Sequence, residues 1–318
     1  MNIKKIFLSL GIGIFLIVVL LKRVSLSDVL QNIASVDLRF FGVAFVAYMI
    51  ANVFRVERFY ILVEGKILRR EFFPILFIYN FLNVISPVLG VASYLHLVNK
   101  TRTMSFGRHT SVFVSSRVVD AIVVALLFII FFLGAVGGRG ESGLLILAVL
   151  LFFFVIGVFF AVIFWGKEIS EFFRKQLERG IGKRQILDSF FNHTDDMADG
   201  FVLLRGNRIL VPLFLLTLFI WLALFLSGFF LLRSAGLSIG LFSGMFSYAF
   251  PIFASISPIT IPANIGTYEA SFVLGLLLVG ISKTASITAS FTIHLQELVF
   301  VITGGMIGFL SQFMKKNK

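Results

Sequence analysis

The 318 residues are 58% hydrophobic and 14% charged, with 41 Phe and a mean hydropathy of +1.01; soluble domains run at roughly 45–50% apolar and about 25% charged. A soluble fold is thereby excluded, and an all-α polytopic membrane bundle of a single transmembrane domain is expected. The formal charge of +12 lies between apolar runs, which argues for orientation in a membrane and against a nucleic-acid partner. Zero Cys excludes disulfides and thiolate chemistry, and four scattered His without ligand spacing predict no metal centre.

In chain order, a basic Met1–Lys5 precedes sixteen uncharged residues, Ile6 to Leu21, which end at Lys22 and Arg23. No small-residue cleavage site follows, so a retained helix is expected over a signal peptide. A second span covers about Phe40 to Phe54. The charges from Arg55 to Glu71 then predict a loop at the membrane surface. Residues 72–98 are apolar but interrupted by Asn80, Asn83, Pro87 and Gly90, and they suit either one span or a re-entrant hairpin turning near Pro87. Spans at Ser111–Val136 and Leu144–Trp165 complete a first half, 1–165.

The polar stretch 166–208 carries apolar residues at helical spacing, Ile169, Phe172, Phe173 and Leu177, then Ile186, Leu187, Phe190 and Phe191. Interfacial helices along anionic headgroups and a helical hairpin packed on the bundle both suit that pattern. The second half, 209–318, has a span at Ile209–Leu232, with Pro212 near its start, and a last span at Ser286–Phe313. Gly236, Gly240 and Gly244 recur every four residues and predict a close-packing helix face. Between the two spans, 245–281 holds Pro258, Pro262 and Gly266, which argue against a continuous helix. Freed backbone groups in hydrocarbon need protein or trapped water, so a lined cavity is expected there.

About six full spans and two broken or re-entrant hairpins result. Basic residues then divide 21 on the side of the termini against 6 on the other, which places both termini in the cytoplasm of a plasma-membrane protein. The broken segments are inserted from opposite sides, and NVISPVLGVASY at 83–94 echoes SISPITIPANIGTY at 255–268. Opposed broken elements point to an inverted repeat with its site where they meet.

Four ionisable residues fall in predicted spans or hairpins: Arg117, Asp120, Glu269 and Glu297. Arg and Asp cost about 2.5–3.5 kcal/mol at a bilayer centre, so these groups should face protein or water. Arg117 and Asp120, three apart, can neutralise each other. Glu297 follows His294 by one turn, as a proton relay or a structural hydrogen bond. Glu269 has no local cation and is the leading functional candidate. There is no catalytic signature, cofactor motif or P-loop, so no nucleotide-driven step is expected.

From about residue 40 onward the chain resembles the membrane domain of the lysylphosphatidylglycerol synthase and flippase family. The resemblance rests on Asn83 with Pro87 and Gly90, SSRVVD with Arg117 and Asp120, then Pro262, Gly266 and Glu269, and Gly304-Gly305. It departs at Val91 and Tyr94, where the family has Glu and Arg, and at His294, aligned with an Arg. The resemblance implies a lipid-handling domain whose relatives move an aminoacylated phospholipid between leaflets, without the soluble aminoacyl-transfer domain.

A lipid flippase is therefore expected, with membrane lipids of anionic or zwitterionic headgroup as partners. Arg117 would attract a phosphate, Asp120 would orient Arg117, and Glu269 with His294 or Glu297 would meet a cationic or hydroxylated headgroup. The alternatives are a membrane transferase, or its membrane subunit with a separate soluble partner, and a scaffold.

Overall fold

The computed structural model describes residues 14–22, 24–136, 157, 207–255 and 262–316, and among these the regular structure is helical, with no strand. The helices are α1 Leu26–Ala34, α2 Leu38–Leu62, α3 Arg69–Ile85, α4 Pro87–Asn99, α5 Phe106–Val136, α6 Asn207–Ser234, α7 Leu241–Ser255, α8 Thr267–Leu278 and α9 Lys283–Lys316. A 3-10 turn at Pro262–Asn264 precedes α8. Residues 14–21 are also helical. The expected span 144–165, Gly157 apart, and the polar stretch 166–206 lie outside the described residues.

Four of these helices, α2, α5, α6 and α9, are long and apolar enough to cross a bilayer. On α2, Val43, Val46, Ile50 and Val53 are each 45–57% exposed, and their steps of three and four make one stripe. Leu295, Val299, Ile302 and Met306 form a matching stripe on α9. Apolar stripes of that length meet lipid. The opposite faces build the core, with α2 packed along α6 and α9 along α3. Phe300 of α9 anchors it against the rings of Phe41, Phe45 and Tyr48, with centroids 5.0, 5.2 and 5.5 Å away.

The segment 72–98 is two helices that meet at Ser86. Ser86 is extended (φ −160°, ψ 129°) and Pro87 opens α4; the proline ring disfavours a helical conformation in the residue before it and suits the first helical position. The two helices fold against each other. A Cβ on Gly90 would lie 2.6 Å from the Asn83 Cβ and 2.7 Å from its Cα, so a side chain there would wedge the pair apart.

The stretch 245–281 is likewise divided. Ala263, Asn264 and Gly266 take φ values of +54°, +51° and +89°, the left-handed region that ends helical runs. Helix α8 packs on α7, where a Cβ on Gly275 would meet the Ser247 carbonyl oxygen at 2.7 Å. Ser247 Oγ donates to the Gly275 carbonyl at 3.0 Å. Pro258 lies outside the described residues.

Two sequence expectations are corrected. The second span does not end at Phe54: α2 continues to Leu62, so Arg55, Glu57 and Arg58 stand on a helix and the surface loop shrinks to 63–68. Sequence charge density suggested water because it takes no account of partners across the bundle. Moving Arg55 and Arg58 into the bundle leaves the basic asymmetry at 19 against 6. Gly236, Gly240 and Gly244 do not share a helix face. Gly236 (φ +84°) ends α6 by accepting its turn, with Leu237 N–H donating to the Leu232 carbonyl, while Gly244 alone is in a helix, against Phe229.

Candidate functional site

Two polar clusters are buried in the bundle. The first is centred on Asp120 of α5, which is 6% exposed, and Arg58 of α2, 1% exposed. Arg58 Nη1 donates to Asp120 Oδ1 at 2.5 Å and Nη2 to Oδ2 at 3.4 Å. Trp221 Nε1 of α6 adds a donor to Oδ1 at 2.8 Å. Arg58 Nη1 also reaches Thr217 Oγ1 at 3.3 Å. Several donors converging on both Asp120 oxygens make its charge tolerable in a low-dielectric interior, while the buried Arg58 Nε has no partner among the described residues.

Arg117 Nη1 lies 3.3 Å from Asp120 Oδ2, and its side chain is 40% exposed. Its guanidinium lies over the rings of Tyr79 and Phe113, at 5.3 and 5.0 Å. Tyr94 is fully buried beside Phe59, Tyr79 and Phe113. Asp120 thus holds Arg58 more closely than its predicted partner Arg117.

The second cluster joins α8, α9 and α7. Glu269 Oε1 lies 2.6 Å from His294 Nδ1, and Oε2 accepts the Gly266 N–H at 2.6 Å. The left-handed Gly266 frees that N–H at the start of α8, where a carboxylate also complements the helix dipole. Tyr268 stacks on the His294 ring at 4.2 Å and 17°. Glu297 is hydrogen-bonded by the Tyr248 hydroxyl. His294 is therefore paired with Glu269 through space, and Glu297 has a tyrosine partner from α7 in place of the adjacent histidine.

Polar groups continue between the clusters. Arg55 Nη1 points to Asn52 Oδ1 and Asn80 Oδ1 at 3.4 and 3.5 Å, and Asn80 Nδ2 donates to Asn52 Oδ1 at 2.9 Å. Arg55 lies within electrostatic reach of Asp120, Arg58 and Arg117. Tyr48 lies within reach of both Arg55 and Glu297.

A cleft of about 160 Å³ opens beside the second cluster, with His294, Glu297, Tyr248, Tyr268 and Asn264 among its walls and Val84 of α3 completing it. Helix α3 also touches the 3-10 turn. The cleft thus lies where the two broken elements meet.

Among the residues singled out from sequence, Asn83, Pro87 and Gly90 build the first break, and Gly266 caps α8, with Pro262 opening the 3-10 turn before it. Arg117 and Asp120 enter one cluster, and Glu269, His294 and Glu297 the other. Arg55, Arg58, Tyr48, Tyr248, Tyr268, Thr217 and Trp221 were not singled out. One signal pointed to the arginines: their spacing of three continues the helical face of α2, and a buried Asp120 demands a cation.

A helical bundle with lipid-facing stripes and two buried ionisable clusters defines a polytopic membrane protein with a polar interior. The family model described as the lysylphosphatidylglycerol synthase TM region matches residues 6–305, and the chain belongs to that family. Membership places it in a membrane with a lipid-related function. No curated protein and no solved structure matches the chain.

Proposed function

We propose that this protein moves a phospholipid or another lipid-linked amphiphile between bilayer leaflets. The observation that carries the reading is the cleft at the meeting of the two broken elements, walled by His294 and Glu297 of the second cluster. A headgroup needs polar partners at membrane depth while its tails stay in lipid. In this reading the α3–α4 and α7–α8 pairs are re-entrant hairpins of an inverted repeat, in a plasma-membrane protein with both termini in the cytoplasm. Arg117, the half-buried arginine of the first cluster, takes the phosphate. Glu269, His294 and Glu297 meet hydroxyl or cationic groups of an anionic or zwitterionic headgroup.

The test is leaflet exchange of fluorescent lipids in proteoliposomes, with several headgroups. Exchange above that of protein-free vesicles is expected. Background exchange for every headgroup would count against a flippase.

A second reading, a membrane subunit serving a soluble transferase, draws on a groove of about 410 Å³ flanked by Arg69, Arg70 and Ser311. It predicts that Arg70→Ala abolishes lipid modification in a reconstituted pair while Glu269→Gln is silent.

A further inference from the structure

Glu297 is the carboxyl group of the second cluster that stands outside the pairing of Glu269 with His294. Each oxygen of Glu269 is engaged, Oε1 by His294 and Oε2 by the Gly266 N–H. Glu297 instead borders the cleft. The groups around it come from four helices: Tyr248 of α7 donates to it, Tyr268 of α8 and His294 of its own helix border the same cleft, and Tyr48 of α2 lies within electrostatic reach. Arg55 of α2 lies within electrostatic reach of both Tyr48 and Tyr248, with its guanidinium directed at Asn52 and Asn80. Among the described residues, no guanidinium or ammonium forms an ion pair with Glu297.

A carboxylate at membrane depth without a fixed cation has two ways to be neutral: it holds a proton, or it meets a mobile cation. A phenol on one oxygen suits both states, because it donates to the carboxylate and still bonds the acid. The neighbouring imidazole is engaged at Nδ1 by Glu269, and its ring is covered on one face by Tyr268.

From this arrangement we infer that Glu297 is a proton-exchange site: it is protonated when the cleft is empty and releases the proton when an ammonium group of the headgroup enters. The step balances, since a neutral acid and an ammonium become a carboxylate–ammonium pair and one proton leaves to water. Lipid movement is then coupled to proton movement in the opposite sense. The inference rests on the flippase reading for its substrate, but the proton on Glu297 can be observed without transport.

Infrared difference spectra of the protein in nanodiscs provide that observation. A protonated-carboxyl C=O band, shifted in D2O, is expected in the wild type; Glu297→Gln removes it and Glu269→Gln retains it. Tyr248→Phe keeps the carboxyl and moves the band by removing its hydrogen bond, which preserves the test should Glu297→Gln misfold. Absence of the band from the wild type, or its survival in folded Glu297→Gln, would overturn the assignment. In proteoliposomes, a pH gradient is expected to change phosphatidylethanolamine exchange several-fold in the wild type and not in Glu297→Gln. Wild-type exchange indifferent to the gradient would overturn the coupling; no exchange at all, with the band present, would sink the flippase reading and leave the proton site standing.

Discussion

Arg58 and Asp120 stand 62 residues apart in the chain and meet at 2.5 Å in an interior where the arginine is 1% exposed. Removing one partner of such a pair leaves the other charged and desolvated, at about 3–5 kcal/mol. Arg58→Ala and Asp120→Asn should each lower the unfolding midpoint in detergent sharply. Their double variant should lose less than the sum of the two, because the stranded charge is gone. Additive losses would show that the pair is not a stability unit.

Gly90→Ala forces a Cβ to within 2.7 Å of the backbone of Asn83. Overpacking of this kind costs about 1–3 kcal/mol, and the α3–α4 pair should loosen. Gly240→Ala is the control, with nothing within 4 Å of the added atom, and should stay within about 0.5 kcal/mol of wild type. Thermal unfolding of both variants in one detergent makes the comparison.

Ala263 sits at φ +54°, where an L-residue pays roughly 1–2 kcal/mol. Glycine removes that strain but loses about 0.5–1 kcal/mol in chain entropy. Ala263→Gly should therefore be neutral to mildly stabilising, and Ala263→Val clearly destabilising, as read by the same unfolding assay.

Glu269→Gln keeps an acceptor for the Gly266 N–H but removes the charge opposite His294. Charge-assisted hydrogen bonds contribute about 1.5–3 kcal/mol, so lipid exchange should fall about tenfold or more at equal insertion. Unchanged exchange would make Glu269 a purely structural cap of α8.

The two breaks were legible because their causes are local: Pro87 restricts Ser86, and Gly266 supplies a left-handed turn. Lipid-facing helices were legible from apolar length. The partners of the buried charges were not, since no sequence spacing brings Arg58 to Asp120 or His294 of α9 to Glu269 of α8. Arg55 and Arg58 were hidden for a related reason, as a run of charges resembles solvent exposure until each finds a counterpart across the bundle.

Helix α9 meets α3 through Gly304, Gly305 and Gly308, where added Cβ atoms would strike Phe77, Phe81 and the Pro74 carbonyl. The first of these lies seven residues beyond Glu297, about 10 Å along the axis. Phenylalanine rings seated in the notches that the glycines leave key α9 to α3. Because His294 and Glu297 stand on the same helix, the depth at which those rings seat sets the height at which both side chains face Tyr248 and Tyr268.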